Sequence, residues 1–497
     1  MFSRDDAGTG AGLTPLALPA AVVAIALLAG SLTAMAGALA GSRAIYYVAV
    51  CGVLAAGTGI TLTRNEPLRF AYLALMAMLP FLAVPVPPGR FALKVFDVAA
   101  ALLACALLLH KAFVVRGTEP PLFPARSLAF IWLLLVPCAL FARHPARAAV
   151  LLVLQFGAYV FFWLTLRELQ RPRGFERLAG MLSVAVIVLS LGVFIDHTLQ
   201  LNLTPGGGNV NQRSMTQAGM QVWRAGGFFQ DAQKAGAFLS ASLVFLLVLS
   251  VRQRFEGRLR LLAWAAIVVG VPALMLTVSR SAILSFLLVS SLALVVLNRW
   301  PTVIKLAVCS VLLPAAVFAL MMPGELASML PAAVAQRLAD TGDDMQSRAD
   351  IWLDTWEMFA GQPLTGIGAG GFQQYLLDTR PGQYDYYGIG AATGVSYVPD
   401  QPESGWFKIL YETGILGAAA VLLLAGATLR RAASGIARAS AAVRTELVAA
   451  LCGLVTFAVT FTSLFTTNDP RILVLLILQL AVIWQHAAAP AAAVKSR

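Results

Sequence analysis

Hydrophobic residues recur along the whole chain in runs of about 20, separated by shorter polar stretches. A helical run of this length crosses about 30 Å of hydrocarbon. The runs do not alternate with a period of two residues, so they predict helices rather than the strands of a barrel. The pattern predicts about fourteen spans, which lie near residues 15–39, 44–62, 68–84, 92–110, 127–142, 147–166, 176–196, 234–251, 259–278, 281–297, 302–322, 406–428, 445–464 and 471–487.

The expected fold is an all-α integral membrane protein, a multi-span helical bundle of about 12–14 transmembrane helices that forms one domain over residues 1–497. Charged residues make up only 12% of the chain and the mean hydropathy is +0.79, whereas a soluble domain carries about 25% charged residues. The net charge of +12 is that of Lys and Arg in short loops, which favours a membrane protein over a nucleic-acid-binding one. We expect the first apolar run to be an uncleaved span.

Cysteine and histidine offer little chemistry in this sequence. The five cysteines all fall in apolar segments, which argues against a disulfide framework. The four histidines are scattered without metal-ligand spacing. The sequence therefore predicts no metal site and no cofactor.

The arginines predict the orientation of the bundle. Three clusters fall in alternate loops and should lie in the cytoplasm: Arg167/Arg171/Arg173/Arg177, Arg252/Arg254/Arg258/Arg260 and Arg430/Arg431/Arg438/Arg444. Both termini are then cytoplasmic. The two long loops, 197–233 and 323–405, face outward, which in a bacterium is the periplasm.

The large periplasmic loop, 323–405, should contain short helices. One is predicted from Ser347 to Gly361, and its apolar face should lie on the membrane surface or against the bundle. The residues on that face are Ile351, Trp352, Thr355, Trp356 and Phe359. The following stretch, 363–372, is a glycine-rich turn series in which backbone can approach a ligand closely. In the first outer loop, 197–233, the early part is rich in Gly, Asn and Gln and should be flexible, whereas the later part should be ordered.

Two arginines are candidates for an anion site at the outer ends of neighbouring spans. Arg280 lies in Thr277-Val-Ser-Arg-Ser-Ala282, and Arg224 precedes the span that begins near residue 234. Each has a structural alternative, as a snorkelling interface anchor or a solvated loop charge. Together they favour a diphosphate site, because guanidinium groups hold phosphate oxygens with forked, permanently charged donors. Lys234 and Arg348 could join this site.

Glu403 is the candidate general base, because it comes just before the span near 406–428 in Pro402-Glu-Ser-Gly-Trp406. The structural alternative is a first-turn carboxylate stabilised by the helix dipole. In the same span, Lys408 and Glu412 form an i,i+4 pair that we interpret as structural. The run Gly366-Ile-Gly-Ala-Gly-Gly371 follows no strand, so we do not interpret it as a dinucleotide site.

Taken together, these residues resemble the O-antigen ligase/polymerase superfamily of bacterial glycan polymerases, O-antigen ligases and protein O-oligosaccharyltransferases. The resemblance rests on the order and spacing of motifs within residues 224–417. They are Ser279-Arg-Ser-Ala282, the Arg348…Trp352 helix, Pro363-Leu-Thr-Gly-Ile-Gly…Phe372 and Trp406-Phe-Lys-Ile-Leu-Tyr-Glu-Thr-Gly-Ile-Leu-Gly417.

The resemblance implies a metal-independent, inverting glycosyltransferase of the bacterial inner membrane. It implies a polyprenyl-diphosphate-linked oligosaccharide donor, an active site that faces the periplasm, and Arg224 and Arg280 as the diphosphate ligands. We expect Arg348 and Lys234, which the residue pattern places with them, to be further substrate-binding residues. In ligases a histidine precedes the corresponding helix, and the matching position here is Glu403. The Pro-Glu-Ser-Gly form looks more like exopolysaccharide polymerases.

Other readings differ in the acceptor or in the class of protein. The alternatives are an O-antigen ligase, a protein O-oligosaccharyltransferase and, outside the enzymes, a transporter of lipid-linked sugars. The predicted spans are nearly free of charge at mid-membrane, which disfavours transport. Expected partners are the lipid-linked oligosaccharide, membrane lipids and a possible chain-length-regulating co-polymerase, with no nucleic acid.

Overall fold

The described residues of the chain are almost entirely helical. The computed structural model describes residues 67–83, 94–113, 126–200, 203, 214–217, 220–229, 231–297, 351–353, 355–379, 384–385, 396–397, 404–464, 467 and 469–487. The spans predicted near 15–39, 44–62 and 302–322 lie outside these residues, as do Arg348 and Glu403. Within the described part, five helices are long and apolar enough to cross a membrane, and three shorter apolar helices accompany them. The expected all-α membrane fold is confirmed.

The described helices follow the predicted spans closely. They are α1 (Pro67–Ala77), α2 (Val95–Phe113), α3 (Arg126–Leu140), α4 (Pro145–Leu169), α5 (Gly174–Leu199), α6 (Ala232–Val251), α7 (Gly257–Leu276), α8 (Arg280–Leu297), α9 (Phe372–Thr379), α10 (Gly405–Arg438), α11 (Ala441–Phe461) and α12 (Pro470–Ala487). Residues 351–353 and 355–361 are also helical and are named the Trp352 helix. The third predicted span was too long, because α1 ends at Ala77 and a 3-10 turn, Leu79–Phe81, follows. Pro80 in that turn has no amide hydrogen with which to continue an α-helix.

Two small strand pairs lie in the predicted outer loops and were not foreseen. Strands β1 (Ser214–Gln217) and β2 (Met220–Trp223) are antiparallel, with Ser214 opposite Trp223. Strands β3 (Tyr384–Asp385) and β4 (Ser396–Tyr397) pair in parallel. The first pair leads directly into the turn that carries Arg224.

Helix α6 is the centre of the bundle and contacts α7, α8, α11 and α12. Of its most apolar stretch, 89% is buried inside the protein, against 33% for α7 and α11. Ala, Gly and Ser make up most of the first half of α6, and such small residues let neighbouring helices approach closely. Helix α6 therefore fixes the positions of the helix ends around it.

The bundle has two polar ends of different character. At one end, named the Glu168 end, Glu168 is buried and pairs with Arg69 at 2.9 Å and Arg177 at 2.7 Å. Glu446, also buried there, lies 2.6 Å from Arg254. The arginine clusters used above to predict orientation lie at this end. The opposite end, named the Arg224 end, holds the candidate site.

Candidate functional site

A tight turn at the Arg224 end holds Arg224 in place. Asp196, fully buried near the end of α5, accepts hydrogen bonds from the backbone N–H of Gly226 at 2.9 Å and of Gly227 at 2.7 Å, and from Trp223 Nε1 at 3.1 Å. Gly227 has φ +57 and lies so close to Val193 that a Cβ would come within 2.8 Å of its backbone nitrogen. Only glycine fits there without strain. The sequence placed Asp196 near a span end but did not foresee this role.

A buried ion pair, Asp469–Arg471, also supports the turn that carries Arg224. Arg471, 1% exposed, pairs with Asp469 through Nη2–Oδ2 at 2.6 Å and Nε–Oδ1 at 2.9 Å. Its Nη1 donates to the carbonyl oxygen of Phe228 at 3.0 Å, and its guanidinium lies 3.6 Å from the ring centroid of Phe229. The buried Arg471 side chain thus holds the turn at the residues four and five positions after Arg224.

Further cations surround this pair. Burial alone raises the pKa of the Asp469 carboxyl, but Arg471, Lys94 and Lys234 outweigh burial and lower it to about 2. Burial lowers the pKa of Lys94, which stands just before α2, while Asp469 partly offsets that effect. Lys234, in the first turn of α6, is only 7% exposed. The structure therefore places Lys234 in a buried charge cluster behind the turn.

The turn that carries Arg224 is bonded to the end of α7, four residues before Arg280. The N–H of Ala225, next to Arg224, donates to the carbonyl of Leu276 at 3.2 Å, at the end of α7. Helix α8 begins four residues later at Arg280, whose side chain is exposed. Gly236 on α6 lies against Ser279 and Ala282, beside Arg280. Both arginines thus stand at the same end of the bundle.

The link between α7 and α8 is strained. Val278 has φ +52, a value that is a genuine outlier for a β-branched residue. Such outliers cost of order 1–3 kcal/mol and persist only where the surrounding structure imposes them, often at functional sites. Here the imposed turn presents Arg280 as the first residue of α8.

The glycine-rich stretch approaches the backbone of helix α10 closely. Helix α10 breaks at Gly414, which has φ +60. The two N–H groups freed after the break, of Ile415 and Leu416, donate to the carbonyls of Pro363 at 2.8 Å and Leu364 at 3.1 Å. On the other side of the break, the carbonyls of Tyr411 and Glu412 accept from Ile367 at 2.9 Å and Gly368 at 3.0 Å. The stretch thus replaces the hydrogen bonds that the break removes, and we name it the clasp (residues 363–371).

The Lys408–Glu412 pair is confirmed as a structural contact. Lys408 Nζ lies 2.6 Å from Glu412 Oε1, and both side chains are about one-tenth exposed. The N–H of Gly370 donates to the same carboxylate oxygen at 2.8 Å. Glu412 lies in the part of α10 before the break, residues 405–413, which we name the outer piece. From there it holds the clasp in place.

The Trp352 helix packs on the same outer piece, with a face that differs from the predicted one. Met358, which the sequence did not single out, is buried with Phe372 and Tyr411, and Thr355 is also buried. Trp352 stacks on Phe407 at a centroid distance of 5.4 Å. Ile351 and Phe359 pack against this cluster as expected, but Trp356 is 55% exposed. The buried face is centred on Thr355 and Met358, which lie three residues apart, so Trp356 falls beyond its edge.

Arg224, Lys234 and Arg280 are therefore together at one end of the bundle, whereas Arg348 and Glu403 lie outside the described residues. Ser404, next to Glu403, is buried and precedes α10 at this same end. The sequence missed Asp196, Asp469 and Arg471. A signal for Asp469 was present, since Asp469-Pro470 is the sequence of a helix N-terminus with proline at its first position.

Residues 265–422 match a family model described as O-Antigen ligase. The match begins in α7, includes Arg280 and the clasp, and ends in α10 beyond its break. It supports membership of the O-antigen ligase/polymerase superfamily, as the motifs predicted. The comparison with curated proteins gives no match.

Proposed function

We propose that this chain, as a member of the O-antigen ligase/polymerase superfamily, is a glycosyltransferase that polymerises polyprenyl-diphosphate-linked oligosaccharide repeats at its Arg224 end. The family acts on lipid-linked oligosaccharides in membranes. On the arginine distribution, the Glu168 end faces the cytoplasm and the Arg224 end faces the periplasm of a bacterial inner membrane.

The proposed reaction is a single displacement. Glu403 takes the proton from an acceptor hydroxyl, whose oxygen then attacks the anomeric carbon of the donor sugar. As the new glycosidic bond forms, the bond from that carbon to the diphosphate oxygen breaks, and the electron pair leaves with the polyprenyl diphosphate. Attack opposite the leaving group inverts the configuration at the anomeric carbon.

Arg224 and Arg280 would hold the diphosphate and stabilise the negative charge that develops on it as the bond breaks. Lys234 would add positive potential from behind the turn, and Arg348 is a further candidate ligand. Fixed cations are most effective when they need no reorganisation during the reaction.

The observation that carries this proposal is the support beneath the turn. Buried Asp196 and the buried Asp469–Arg471 pair both hold the backbone that carries Arg224, and that backbone is bonded to the end of α7 just before Arg280. Burying charges is costly unless they are well paired. A need to keep Arg224 and Arg280 at a fixed spacing would explain why these charged groups are buried beneath the turn.

An O-antigen ligase or a protein O-oligosaccharyltransferase would use the same donor and differ in the acceptor. The Pro402-Glu-Ser404 pattern leads us to place polymerase first. A transporter of lipid-linked sugars is the alternative outside the enzymes.

A gel of surface and lipid-linked glycans from a deletion strain and its complemented forms tests the proposal. Loss of the high-mass ladder, with single lipid-linked repeats accumulating, is the expected result. Complementation with Arg280→Ala or Glu403→Gln should fail, whereas Arg258→Ala, which removes an exposed arginine at the Glu168 end, should succeed. Polymer that stays on its carrier would instead indicate a ligase, and loss of protein-bound glycan an oligosaccharyltransferase. Normal glycans in strains complemented with Arg280→Ala and with Glu403→Gln would refute the mechanism.

A further inference from the structure

A second polar cluster lies at the Arg224 end, centred on the carboxylate of Asp378 in α9. Arg143 Nη2 lies 3.4 Å and His144 Nε2 lies 3.9 Å from Asp378 Oδ2. Gln374 Nε2 donates to the other oxygen, Oδ1, at 2.8 Å. The guanidinium of Arg143 also lies 5.2 Å from the ring centroid of Tyr375. We name these five residues the Asp378 cluster.

The fold does not depend on this cluster for its stability. The side chains of Arg143, His144 and Asp378 are 39%, 43% and 30% exposed, and ion pairs this exposed contribute little to stability. The backbone already fixes both elements, because the N–H of Arg143 donates to the carbonyl of Ile367 in the clasp at 3.0 Å. Helix α9 is anchored separately, by Phe372 against Tyr411. The polar groups are therefore available to a ligand.

The chemistry of the Asp378 cluster matches a sugar. A hydroxyl group both donates and accepts hydrogen bonds, so it can donate to the carboxylate and accept from a guanidinium, amide or imidazole beside it. Such charge-assisted bonds are the stronger ones. The Tyr375 ring adds an apolar surface with a polar tip. The mixture of both charge signs with an amide fits a neutral polyhydroxylated ligand better than a simple anion.

An apolar crevice lies directly beneath the cluster, between α3 and α4. It is a shallow groove with a cavity volume of about 20 Å³, and it is open to its surroundings. Its lining is mostly small and apolar, and includes Leu135, Ala139, Ala148 and Leu152, with Ala369 of the clasp at one edge. Gln155 also lines it, and at 1.5 Å per residue Gln155 lies about 15 Å from the start of α4. The crevice thus runs along α4 towards the middle of the span predicted near 147–166.

We propose that the Asp378 cluster and this crevice form the acceptor site, in which the cluster binds the sugars of a lipid-linked glycan and the adjoining lipid packs along the open, apolar lining of the crevice. The identity of the ligand as the acceptor rests on the proposed function. The separation of the Asp378 cluster from the two arginines supports the assignment. Arg224 and Arg280 are carried by the α5–α6 connection and α8, whereas the Asp378 cluster is carried by the α3–α4 connection and α9. The clasp joins the second site to the outer piece of α10, which begins beside Glu403.

Binding to the full-length protein in lipid nanodiscs tests the cluster. The probe is the pool of lipid-linked oligosaccharides extracted from the deletion strain. Asp378→Asn and Arg143→Gln should each lower its affinity about tenfold or more, because each removes a charged partner of a sugar hydroxyl. Glu357→Gln, which removes an exposed carboxylate from the Trp352 helix, should leave the affinity unchanged.

The crevice is tested by a matched pair of substitutions on α3. Leu135→Trp fills the crevice, whereas Leu133→Trp changes a residue that is 63% exposed and does not line it. Leu135→Trp should weaken binding of the lipid-linked glycan but not of the same glycan released by mild acid, and Leu133→Trp should weaken neither. Equal effects of the two substitutions, or binding of the sugar-free lipid as strong as that of the glycan, would show a site for bulk lipid and overturn the proposal.

Transfer assays separate this inference from the proposed function. With a preformed lipid-linked polymer as donor and a single lipid-linked repeat as acceptor, Asp378→Asn should raise the KM for the acceptor with little change in the KM for the donor, and Arg280→Ala should impair use of the donor. If transfer requires Arg280 but Asp378→Asn and Leu135→Trp match wild type in binding and in acceptor KM, the acceptor site is wrong and the function stands. If wild type transfers nothing while the binding differences are observed, the function is wrong and the glycolipid site stands.

Discussion

Replacing Asp469 with Asn should destabilise the protein and loosen the turn that carries Arg224. The substitution leaves the Arg471 guanidinium buried without its bidentate partner, beside the positive charges of Lys94 and Lys234. To regain solvation, Arg471 must abandon the Phe228 carbonyl and the Phe229 ring. We therefore expect the loss of stability and the loss of donor use to appear together.

Two arguments give the magnitude. Removing one partner of a buried ion pair costs about 3–5 kcal/mol. The depressed pKa of Asp469, about 2 against an ordinary 3.8, corresponds to roughly 2–3 kcal/mol at 1.36 kcal/mol per pH unit. Because the folded pKa is the lower one, this stabilisation is present above about pH 4 and is lost as the pH falls towards 2. The gap in stability between wild type and Asp469→Asn should therefore be constant from about pH 5 to 8 and shrink below pH 4.

Apparent melting temperatures in detergent, followed by tryptophan fluorescence, measure this effect. Asp231→Asn is the matched control, because Asp231 caps α6 through Gln233 N at 2.8 Å and Asn caps a helix about as well as Asp. The double variant Asp469→Asn/Arg471→Met should recover part of the loss, since it no longer buries an unpaired charge. Equal melting temperatures for Asp469→Asn and Asp231→Asn would refute the reasoning.

Three further predictions concern the backbone and the Glu168 end. Gly414→Ala should lower the free energy of unfolding by at least about 1–2 kcal/mol, because a side chain at φ +60 is strained and would meet the Leu364 carbonyl. Gly426→Ala, with open space around it, should be neutral or stabilising by up to about 1 kcal/mol. Melting temperatures of the two variants test this difference. Val278→Gly should raise the melting temperature by relieving strain worth about 1–3 kcal/mol while lowering the transfer rate, and an unchanged rate would contradict a role for this turn. Glu446→Gln should lower the melting temperature without changing donor KM, because Glu446 pairs with Arg254 at the opposite end of the bundle.

The sequence predicted the helices well because a membrane helix can be recognised from the length of its hydrophobic run alone. The predicted span near 234–251 corresponds to α6, Ala232–Val251. The span predicted near 68–84 was too long, because Pro80 lacks the amide hydrogen that would continue α1. The predicted span near 406–428 became the longer, broken α10, because hydropathy does not reveal a left-handed residue such as Gly414.

The candidate site was predictable only as far as local patterns reach. Arg224 and Arg280 stood out because two arginines at the outer ends of neighbouring spans together favour a diphosphate site. Asp196 and Arg471 support the turn across 30 and 243 residues of sequence, respectively. No local pattern encodes such partners. The clasp was predicted as a place of close backbone approach, but its partner proved to be the α10 backbone, since the sequence shows a need for glycine and not what lies against it.

Transfer by the purified protein, reconstituted with labelled lipid-linked oligosaccharide, tests the central claim most directly. Wild type should release polyprenyl diphosphate and form longer glycans. Arg224→Ala, Arg280→Ala and Glu403→Gln should each lower the rate by a factor of about 100 or more, while Arg258→Ala matches wild type. Transfer at the wild-type rate by the Arg280→Ala and Glu403→Gln proteins would contradict the account.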